Sequence, residues 1–348
     1  MTAMTIEQIA ELANISRSTV SRVLNNHPSV RPEVRDRVLQ VMDAHGYAPS
    51  AAARSLALRR TNVLGLLIPM SASEIFSDPF FPHVIPGVNQ TCAERGYFLM
   101  LSMVTADLEQ GFYHRILRSG HFDGLIILSS DIDDPILPLL IKDKLPLVLV
   151  GRHPYFQDVL SVDVENRAGA RDVVAHLAGL GHRCIATITG PLQMAAALDR
   201  RDGYKQALLE AGLPIVPNFI VEADFTQMGG YSAMSSLLQL PQRPTAVFVA
   251  SDTMAVGALR AAREHGVSVP DDLAVVGFDD LPFAAFASPP LTTVRQPIGE
   301  LGAVATSLLI DRLEHPERVG GHVRLPTQLV VRDSSGALVR AAAAGKGG

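Results

Sequence analysis

The sequence holds only two cysteines, Cys92 and Cys184, among 348 residues. A disulfide framework or a thiolate zinc site needs more cysteines than this, and the composition fits a reducing compartment. Long hydrophobic runs are also missing, because apolar stretches such as 63–70 are far shorter than the roughly 20 residues that span a bilayer. The first residues lack the basic and apolar regions of an export signal. We therefore expect a cytoplasmic protein without a membrane partner.

Residues 1–60 contain no lysine, so their positive charge comes from arginine alone. They hold eight arginines and five acidic residues, a net charge of +3. The whole chain carries −5, which leaves −8 for the remainder. This asymmetry is typical of a nucleic-acid-binding module joined to an acidic body, although a charge of +3 is also ordinary for a solvated helical surface.

The N-terminal 25 residues have the pattern of two short helices joined by a tight turn. Thr5 and Gln8 form a capping box ahead of apolar residues at helical spacing, and Asn14 suits the left-handed conformation of a turn. Ser16 is placed to cap a second helix whose apolar positions point inward. The outer face of this second helix carries Arg17, Ser18, Ser21 and Arg22.

A third helix is predicted over about residues 33–45. Arg31 is a poor N-cap for it, Pro32 is well placed in its first turn, and Gly46 closes it. Two helices joined by a tight turn form a helix-turn-helix, whose second helix enters the major groove of DNA. The spacing alone fits a structural helical hairpin equally well.

Beyond residue 60, apolar segments alternate with helical ones. Strands are predicted at 63–68, 97–102, 124–128, 147–150, 184–189, 219–222, 246–250 and 273–277, and the main helices at 83–94, 166–180, 200–211 and 253–265. This rhythm predicts an α/β body of two Rossmann-like subdomains, with parallel sheets covered by helices. We expect the chain to cross between the subdomains near residues 161–163, 291–294 and 320–326.

Charged and aromatic side chains follow several of the predicted strands, where open α/β sheets bind their ligands. Carboxylates accept hydrogen bonds from hydroxyl groups, arginine donates as a planar fork, and an aromatic ring covers the apolar face of a sugar. The candidate ligand residues are Asp78, Phe80, Phe81, Arg152, Arg200, Phe225, Asp252 and Asp279. Asp252 also fits a helix cap, and Arg200 with Asp279 also fits a structural ion pair. Phe278 fits a core position better than a ligand contact, and Asp280 fits a loop brace.

Residues 5–25, TIEQIAELANISRSTVSRVLN, resemble the N-terminus of the LacI/GalR family of bacterial transcription regulators. Residues 47–57, YAPSAAARSLA, resemble the linker and hinge helix of that family, and the similarity continues to about Ser334. The resemblance implies a helix-turn-helix domain over 1–48, a hinge over 49–60 and an effector-binding and dimerisation domain over 61–334, before a flexible tail over 335–348. Its N-subdomain would span about 61–161 and 292–322, and its C-subdomain about 162–291 and 323–334.

The resemblance also implies contacts with a near-palindromic operator. Residues of the second helix would contact base edges and phosphates, and Leu56 of the hinge helix would enter the minor groove and kink the DNA. Packing of Leu56 against the body is the alternative. The base-edge candidates are Arg17, Ser18 and Arg22, and the phosphate candidates are Thr19, Ser21 and Asn25. The implied DNA-binding set is completed by Thr5, Ser16 and Ala53.

The body resembles the periplasmic sugar-binding-protein fold, which holds its ligand between two lobes. The resemblance implies a homodimeric, nucleoid-associated repressor whose operator affinity is controlled by a mono- or disaccharide, with neither cofactor nor metal. The family's ligand contacts fall on the candidate ligand residues, most clearly on Arg200, Phe225 and Asp279. The segment 190–204 looks most like regulators of maltose or glucoside use.

Catalytic motifs are missing from the sequence. It has no Gly-x-Ser-x-Gly elbow, no phosphate-binding Gly-x-x-x-x-Gly-Lys-Ser/Thr loop and no His-Glu-x-x-His, and its eleven histidines are scattered. A secreted binding protein would need an export signal and would lack residues 5–58. A sugar kinase fused to a DNA-binding module, or a ribokinase-like or dehydrogenase-like enzyme, would need phosphate loops. We therefore expect a regulator and no enzymatic activity.

Overall fold

The computed structural model describes residues 4–24, 27–47, 60–103, 120–128, 131–317 and 321–337. These residues form two compact units. The first holds the described residues up to Asn62 together with Gly120–Asp123, and the second holds the rest. Among the helices of the described ranges, none is long and apolar enough to cross a membrane.

The first unit contains three helices, α1 (Ile6–Leu12), α2 (Arg17–Leu24) and α3 (Pro32–Ala44). The predicted capping box is confirmed, because Thr5 accepts from the amide of Gln8 and the Gln8 side chain accepts from the amide of Thr5. Asn14 has a φ of 53°, as the tight turn requires. The Ser16 hydroxyl accepts from the amide of Thr19, which confirms the cap of α2. These caps fix the angle at which α2 leaves α1.

Helix α3 completes the small core of this unit. Its first turn has Pro32 and an Arg31 that makes no side-chain cap, and Gly46 ends the helix with a φ of +59°, all as predicted. Apolar residues from all three helices pack together, with Ile9, Val20 and Val38 fully buried. The burial of one face of each helix leaves the opposite face of α2 exposed to solvent.

The second unit is an α/β body with two lobes. Its strands and helices follow in the order β1 (Val63–Ile68), α4 (Ala72–Ser77), α5 (Phe80–Glu94), β2 (Phe98–Met103), β3 (Gly124–Leu128), α6 (Leu137–Lys142), β4 (Leu147–Val150), β5 (Ser161–Val164), α7 (Asn166–Gly179), β6 (Ile185–Thr189), α8 (Ala195–Glu210), β7 (Ile220–Glu222), α9 (Gln227–Leu238), β8 (Ala246–Val249), α10 (Asp252–Glu264), β9 (Ala274–Val276), β10 (Thr293–Arg295), α11 (Ile298–Glu314), β11 (His322–Leu325) and β12 (Gln328–Val330).

The first lobe, here the N-lobe, is built on a six-stranded parallel sheet in the order β11-β5-β4-β3-β1-β2. Helices α5 and α11 pack against each other, and apolar side chains from both join those of the sheet in one core. Strand β2 lies at the edge of this sheet and leaves Phe98 largely exposed.

The second lobe, the C-lobe, is built on a four-stranded parallel sheet in the order β7-β6-β8-β9. Helices α7 and α8 pack together over one core, and α9 and α10 pack together over another. The short antiparallel pair β10–β12 contacts α7. The carboxyl ends of the strands in each sheet are therefore available to face the cleft between the lobes.

All eight predicted strands are present, with ends shifted by no more than one residue. The segments expected only as crossings contain strands themselves. Both β5 and β11 complete the N-lobe sheet, so the chain crosses at Glu165 and at Gln296–Pro297, each two residues later than expected, and at 326–327, at the end of the expected range. Two helices begin earlier than predicted, α5 at Phe80 and α8 at Ala195. Arg200 consequently lies in the second turn of α8 and not in a loop.

Candidate functional site

The exposed face of α2 is the candidate DNA-contacting surface of the first unit. Arg17, Ser18 and Arg22 are exposed, whereas Thr19 and Ser21 are half-buried. The Arg17 guanidinium lies 3.0 Å from a carboxylate oxygen of Glu7 on α1, and both side chains are mostly exposed. An exposed ion pair of this kind contributes little to stability, so Arg17 can exchange this partner for another acceptor.

The remaining members of the implied DNA-binding set divide into two groups. Thr5 and Ser16 are the caps of α1 and α2, and the Ser16 hydroxyl also lies 2.8 Å from the hydroxyls of both Ser18 and Thr19. Asn25, Ala53 and Leu56, together with residues 49–59 of the predicted hinge over 49–60, lie outside the described residues.

A cavity of about 610 Å³ lies between the two lobes of the body and is here called the cleft cavity. It brings together six of the eight candidate ligand residues. Asp78, Phe80 and Phe81 come from the junction of α4 and α5 in the N-lobe, and the C-lobe supplies Arg200, Phe225 and Asp279. Gln296, at one of the crossings between the lobes, also lines it.

Arg200 is held rigidly on the C-lobe side of the cavity. Its Nε donates to Asn166 Oδ1 at 2.8 Å, and its Nη1 donates to the carbonyl oxygen of Ala250 at 2.6 Å. The guanidinium carbon lies 3.7 Å from the centroid of the Phe278 ring, and this ring is fully buried, which confirms Phe278 as a core residue. Such preorganisation keeps the arginine in one orientation for a ligand.

Asp279 follows β9 and adopts a φ of 124°, in the left-handed half of conformational space. One of its carboxylate oxygens accepts from Gln296 Nε2 at 2.6 Å and lies 3.6 Å from Arg200 Nη1. Burial raises the pKa of Asp279 to about 7, with Arg200 opposing the shift and Asp78 adding to it. The carboxyl group is thus close to the point where it changes from acceptor to donor.

Asp78 faces the cavity from the N-lobe. Burial raises the pKa of its carboxyl group, and the hydrogen bond from the Phe80 amide (3.0 Å) and the charge of Arg200 oppose this shift. The rings of Phe80 and Phe81 meet edge to face, 5.6 Å apart. Phe81 is only 2% exposed and belongs mainly to the N-lobe core, so Phe80 is the phenylalanine with more surface to offer a ligand.

Phe225 reaches the cavity through an unusual backbone. It follows β7 with a φ of 64°, and its half-buried ring packs directly against the α-carbon face of Gly190. Any side chain at Gly190 would collide with that ring. Glycine at 190 is therefore what allows Phe225 to present a flat apolar surface beside Arg200.

Two of the eight candidate residues lie elsewhere. Arg152 is not among the residues that line the cleft cavity, and it forms an ion pair with Asp199. Asp252 is fully buried and accepts from Thr293 Oγ1 at 2.6 Å and from the amide of Leu281 at 2.9 Å. Its carboxylate joins segments of the C-lobe, and the helix cap expected of it is supplied instead by the Ser251 hydroxyl.

The expected loop brace at Asp280 is confirmed, since it pairs with Arg295 at 2.7 Å and with Arg332 at 2.6 Å. Gln296 and Asn166, which hold Asp279 and Arg200 in place, were not predicted as site residues. Gln296 lies next to a crossing where no strand was predicted, and Asn166 is the first residue of α7, where polar residues are common at any helix start. Neither position therefore carried a signal of its own.

In the parts of the chain that the structure describes, no group of three or more His, Cys, Asp or Glu side chains could hold a metal ion. The groups in the cleft cavity are hydrogen-bonding and aromatic. A helix-turn-helix unit in the same chain as a two-lobed body with such a cavity is the arrangement typical of a DNA-binding regulator with a small-molecule site.

Comparison with known proteins agrees with this class. Residues 5–50 match the family model described as "Bacterial regulatory proteins, lacI family", and residues 174–335 match a "Periplasmic binding protein-like domain". The HTH-type transcriptional regulator CelR of Thermobifida fusca is 38% identical over 95% of this chain and 98% of its own length. The ribose operon repressor of Escherichia coli K12 is 36% identical over 95% of this chain and 99% of its own length.

Solved structures agree as well. A CelR–cellobiose complex matches with a TM-score of 0.76 and 36% identity, over 95% of this chain and 99% of that one. A lac repressor dimer bound to operator and an anti-inducer matches with a TM-score of 0.82 and 29% identity, over 96% and 99%. The chain belongs to the LacI family of bacterial regulatory proteins, as its N-terminal motif predicted. It is a DNA-binding transcriptional regulator of this family.

Proposed function

We propose that the chain is a homodimeric repressor whose operator affinity changes when an uncharged sugar binds in the cleft cavity. The observation that carries this proposal is the origin of the cavity walls: Asp78 and Phe80 come from one lobe, and Arg200 and Asp279 from the other. A ligand that contacts both walls favours one separation of the lobes over others. Its binding energy is thereby coupled to the arrangement of the body.

The chemistry of the cavity favours a polyhydroxylated ligand without negative charge. Among the described residues, three carboxyl groups, Asp78, Asp224 and Asp279, line it beside one arginine, Arg200, so the lining offers an anionic ligand fewer cations than acidic groups. Its volume is within the range of roughly 300–1,000 Å³ that is typical of small-molecule sites. Because the related CelR was solved with cellobiose, we propose a neutral disaccharide of the glucoside class as the first ligand to test.

For the DNA, we propose that Arg17, Ser18 and Arg22 contact base edges and that Thr19, Ser21 and Asn25 contact phosphates. The exposure of the first three and the placement of α2 on a compact three-helix core support these roles. Thr5 and Ser16 would act through the caps they form. Ala53 and Leu56 of the hinge are proposed to reach the minor groove, with Leu56 as the apolar wedge.

For the dimer, we propose that the edge strand β2 of the N-lobe lies in the interface. Its sequence, FLMLSM, is apolar, yet Phe98 is 76% exposed and Leu101 and Met103 are each 37% exposed. Nearby in sequence, Phe76 is 71% exposed. An uncovered apolar edge strand favours association with another chain. A two-fold dimer would present two α2 helices to the half-sites of a near-palindromic operator on nucleoid DNA.

Titration calorimetry against cellobiose, maltose, glucose and ribose tests the ligand, and a gel shift on operator selected from random DNA tests the partner. The proposal expects saturable binding of one of these sugars and a discrete shifted complex whose amount changes with that sugar. A turnover assay on the same sugars distinguishes a regulator from an enzyme that converts the sugar. Conversion of the sugar without any effect on DNA binding would contradict the proposal.

A further inference from the structure

The ion pair of Arg152 and Asp199 joins the two lobes. Arg152 follows β4 of the N-lobe, and Asp199 lies on α8 of the C-lobe. Arg152 Nε donates to one carboxylate oxygen of Asp199 at 2.6 Å, and Nη2 donates to the other at 2.7 Å. This bidentate geometry is the strongest form of the arginine–carboxylate interaction.

A second contact between the lobes lies beside this pair. The amide of Ile132, in the N-lobe loop after β3, donates to the carbonyl oxygen of Gln193, which lies just before α8. The carbonyl oxygen of Ile132 is in turn held by His153 Nε2 at 2.9 Å. Two neighbouring N-lobe segments therefore grip the start of α8 and the segment leading into it.

The ion pair also stands at one end of the cleft cavity. Arg152 lines a narrow space of about 80 Å³ whose other walls include Phe80, Arg200 and Gln296, all of which line the cleft cavity. On its other side Arg152 and Asp199 line a wider hollow of about 780 Å³ near the start of α7. The pair is placed where a change in lobe separation must stretch or break it.

We propose that Arg152 and Asp199, with the Ile132–Gln193 hydrogen bond, form a clamp between the lobes that holds the cleft closed and thereby sets the affinity for the effector. A ligand that contacts both lobes binds best when the lobes are already together. When the equilibrium shifts toward open forms, the apparent affinity falls in proportion to the fraction of chains that remain closed. The affinity half of this inference rests on the proposed function, and the closure half does not.

The surroundings of the pair make it testable without unfolding the body. Asp199 is 10% exposed but also lies 3.5 Å from Arg167 on α7 of its own lobe, so it keeps a positive partner when Arg152 is removed. Arg152 is 31% exposed and can be hydrated when Asp199 is removed. Neither single substitution leaves a buried charge without a partner, which is the usual cause of severe destabilisation.

Hydrogen exchange on the full chain without ligand tests closure. We would compare R152A, D199A and the double variant with the wild type, and use R260A as the matched control. Arg260 pairs with Glu264 at 2.8 Å within α10, so its loss removes an ion pair inside one lobe. Peptides that contain the Ile132 amide and the start of α8 should exchange faster in the three clamp variants than in the wild type. Their exchange should be unchanged in R260A. Equal exchange at these amides in wild type and clamp variants would overturn the clamp.

Calorimetry with cellobiose tests the affinity half. Each clamp variant should bind cellobiose roughly five- to thirty-fold more weakly than the wild type. The double variant should bind no more weakly than the single variant with the lower affinity, because R152A and D199A each remove the same interaction. R152K keeps the charge without the bidentate geometry and should fall between wild type and R152A. Faster exchange with unchanged cellobiose affinity would overturn the affinity half. If the wild type binds no cellobiose, the proposed ligand is wrong, and the exchange data still decide the clamp.

Discussion

The guanidinium of Arg200 lies 3.6 Å from a carboxylate oxygen of Asp279, and both side chains are buried in the wall of the cleft cavity. The sequence left two interpretations for these residues, a ligand contact and a structural ion pair. The geometry is compatible with both interpretations, because each residue is held by hydrogen bonds to its neighbours and each also faces the cavity. Substitutions here should therefore affect ligand binding and stability together.

Arg200→Ala should lower the free energy of unfolding by roughly 3–5 kcal/mol, the usual cost of removing one partner of a buried pair. It should also abolish the response to sugar. Urea denaturation and calorimetry on the same preparation measure both effects. Arg201→Ala is the matched control, since Arg201 is the next residue on α8 and pairs with Asp202 at 2.8 Å. An Arg200 variant with wild-type stability and sugar affinity would exclude both roles.

The buried carboxyl group of Asp279 should make stability depend on pH. Its pKa is about 7 in the folded chain against an ordinary value of 3.8, so between these values the folded state binds more protons than the unfolded state. This group then lowers stability progressively as the pH rises from about 4 to 7. Asp279→Asn removes that dependence. Denaturation at pH 5 and pH 8 should show that the free energy of unfolding of the variant, relative to the wild type, is higher at pH 8 than at pH 5. The same difference at both pH values would contradict the raised pKa of Asp279.

Gly190→Ala should displace the Phe225 ring, because an added methyl group would occupy the place where the ring packs. Sugar affinity should fall about tenfold through loss of the flat apolar surface, while operator binding persists. Gly179→Ala at the end of α7 is the control, since nothing lies within 4 Å of an added methyl group there. Unchanged sugar affinity in the Gly190 variant would remove Phe225 from the site.

Much of the fold and several of the cavity residues were predictable from the sequence. Its apolar periodicity was sufficient for eight strands and for the helix-turn-helix, because buried strands and capped helices leave local patterns. It failed for β5, β10, β11 and β12, since SVDV, TVR, HVRL and QLV are short and mix polar with apolar residues. Six of eight candidate residues do meet at one cavity, because the ends of parallel strands converge.

The other two candidates show what local pattern cannot contain. Arg152 follows a strand, like the residues that reach the cavity, but its partner Asp199 lies 47 residues further along the chain and in the other lobe. Asp252 also stands at a strand end, and only the fold reveals that Thr293 and Leu281 take up both of its carboxylate oxygens. Such roles depend on tertiary contacts, and a single sequence does not encode them in any spacing.

Arg22→Ala should weaken binding to the selected operator by about 1–3 kcal/mol if Arg22 reads a guanine with two hydrogen bonds. Competition gel shifts with operator and with random DNA measure the loss on each. Arg37→Ala on the exposed side of α3 serves as a charge-matched control. Equal losses on the two DNAs would show that Arg22 contacts only phosphate.

Phe98→Glu should dissociate the dimer, because it places a charge on the exposed apolar edge strand β2. Sedimentation velocity should show a smaller species. A thermal denaturation scan should show unchanged stability, since Phe98 lies outside the N-lobe core. Phe286→Glu, a second highly exposed phenylalanine but in the C-lobe, tells whether the interface extends there. A dimer that survives the Phe98 substitution would place the interface away from β2.

We propose above that sugar binding changes operator affinity, which requires energetic coupling between the cleft cavity and the helix-turn-helix unit. The direct test is the operator affinity of the full chain by fluorescence anisotropy, with and without a saturating sugar that calorimetry shows to bind. A coupling free energy of about 1–3 kcal/mol predicts a change of roughly 5- to 150-fold, which Arg200→Ala should abolish. The same operator affinity with and without bound sugar would contradict the account.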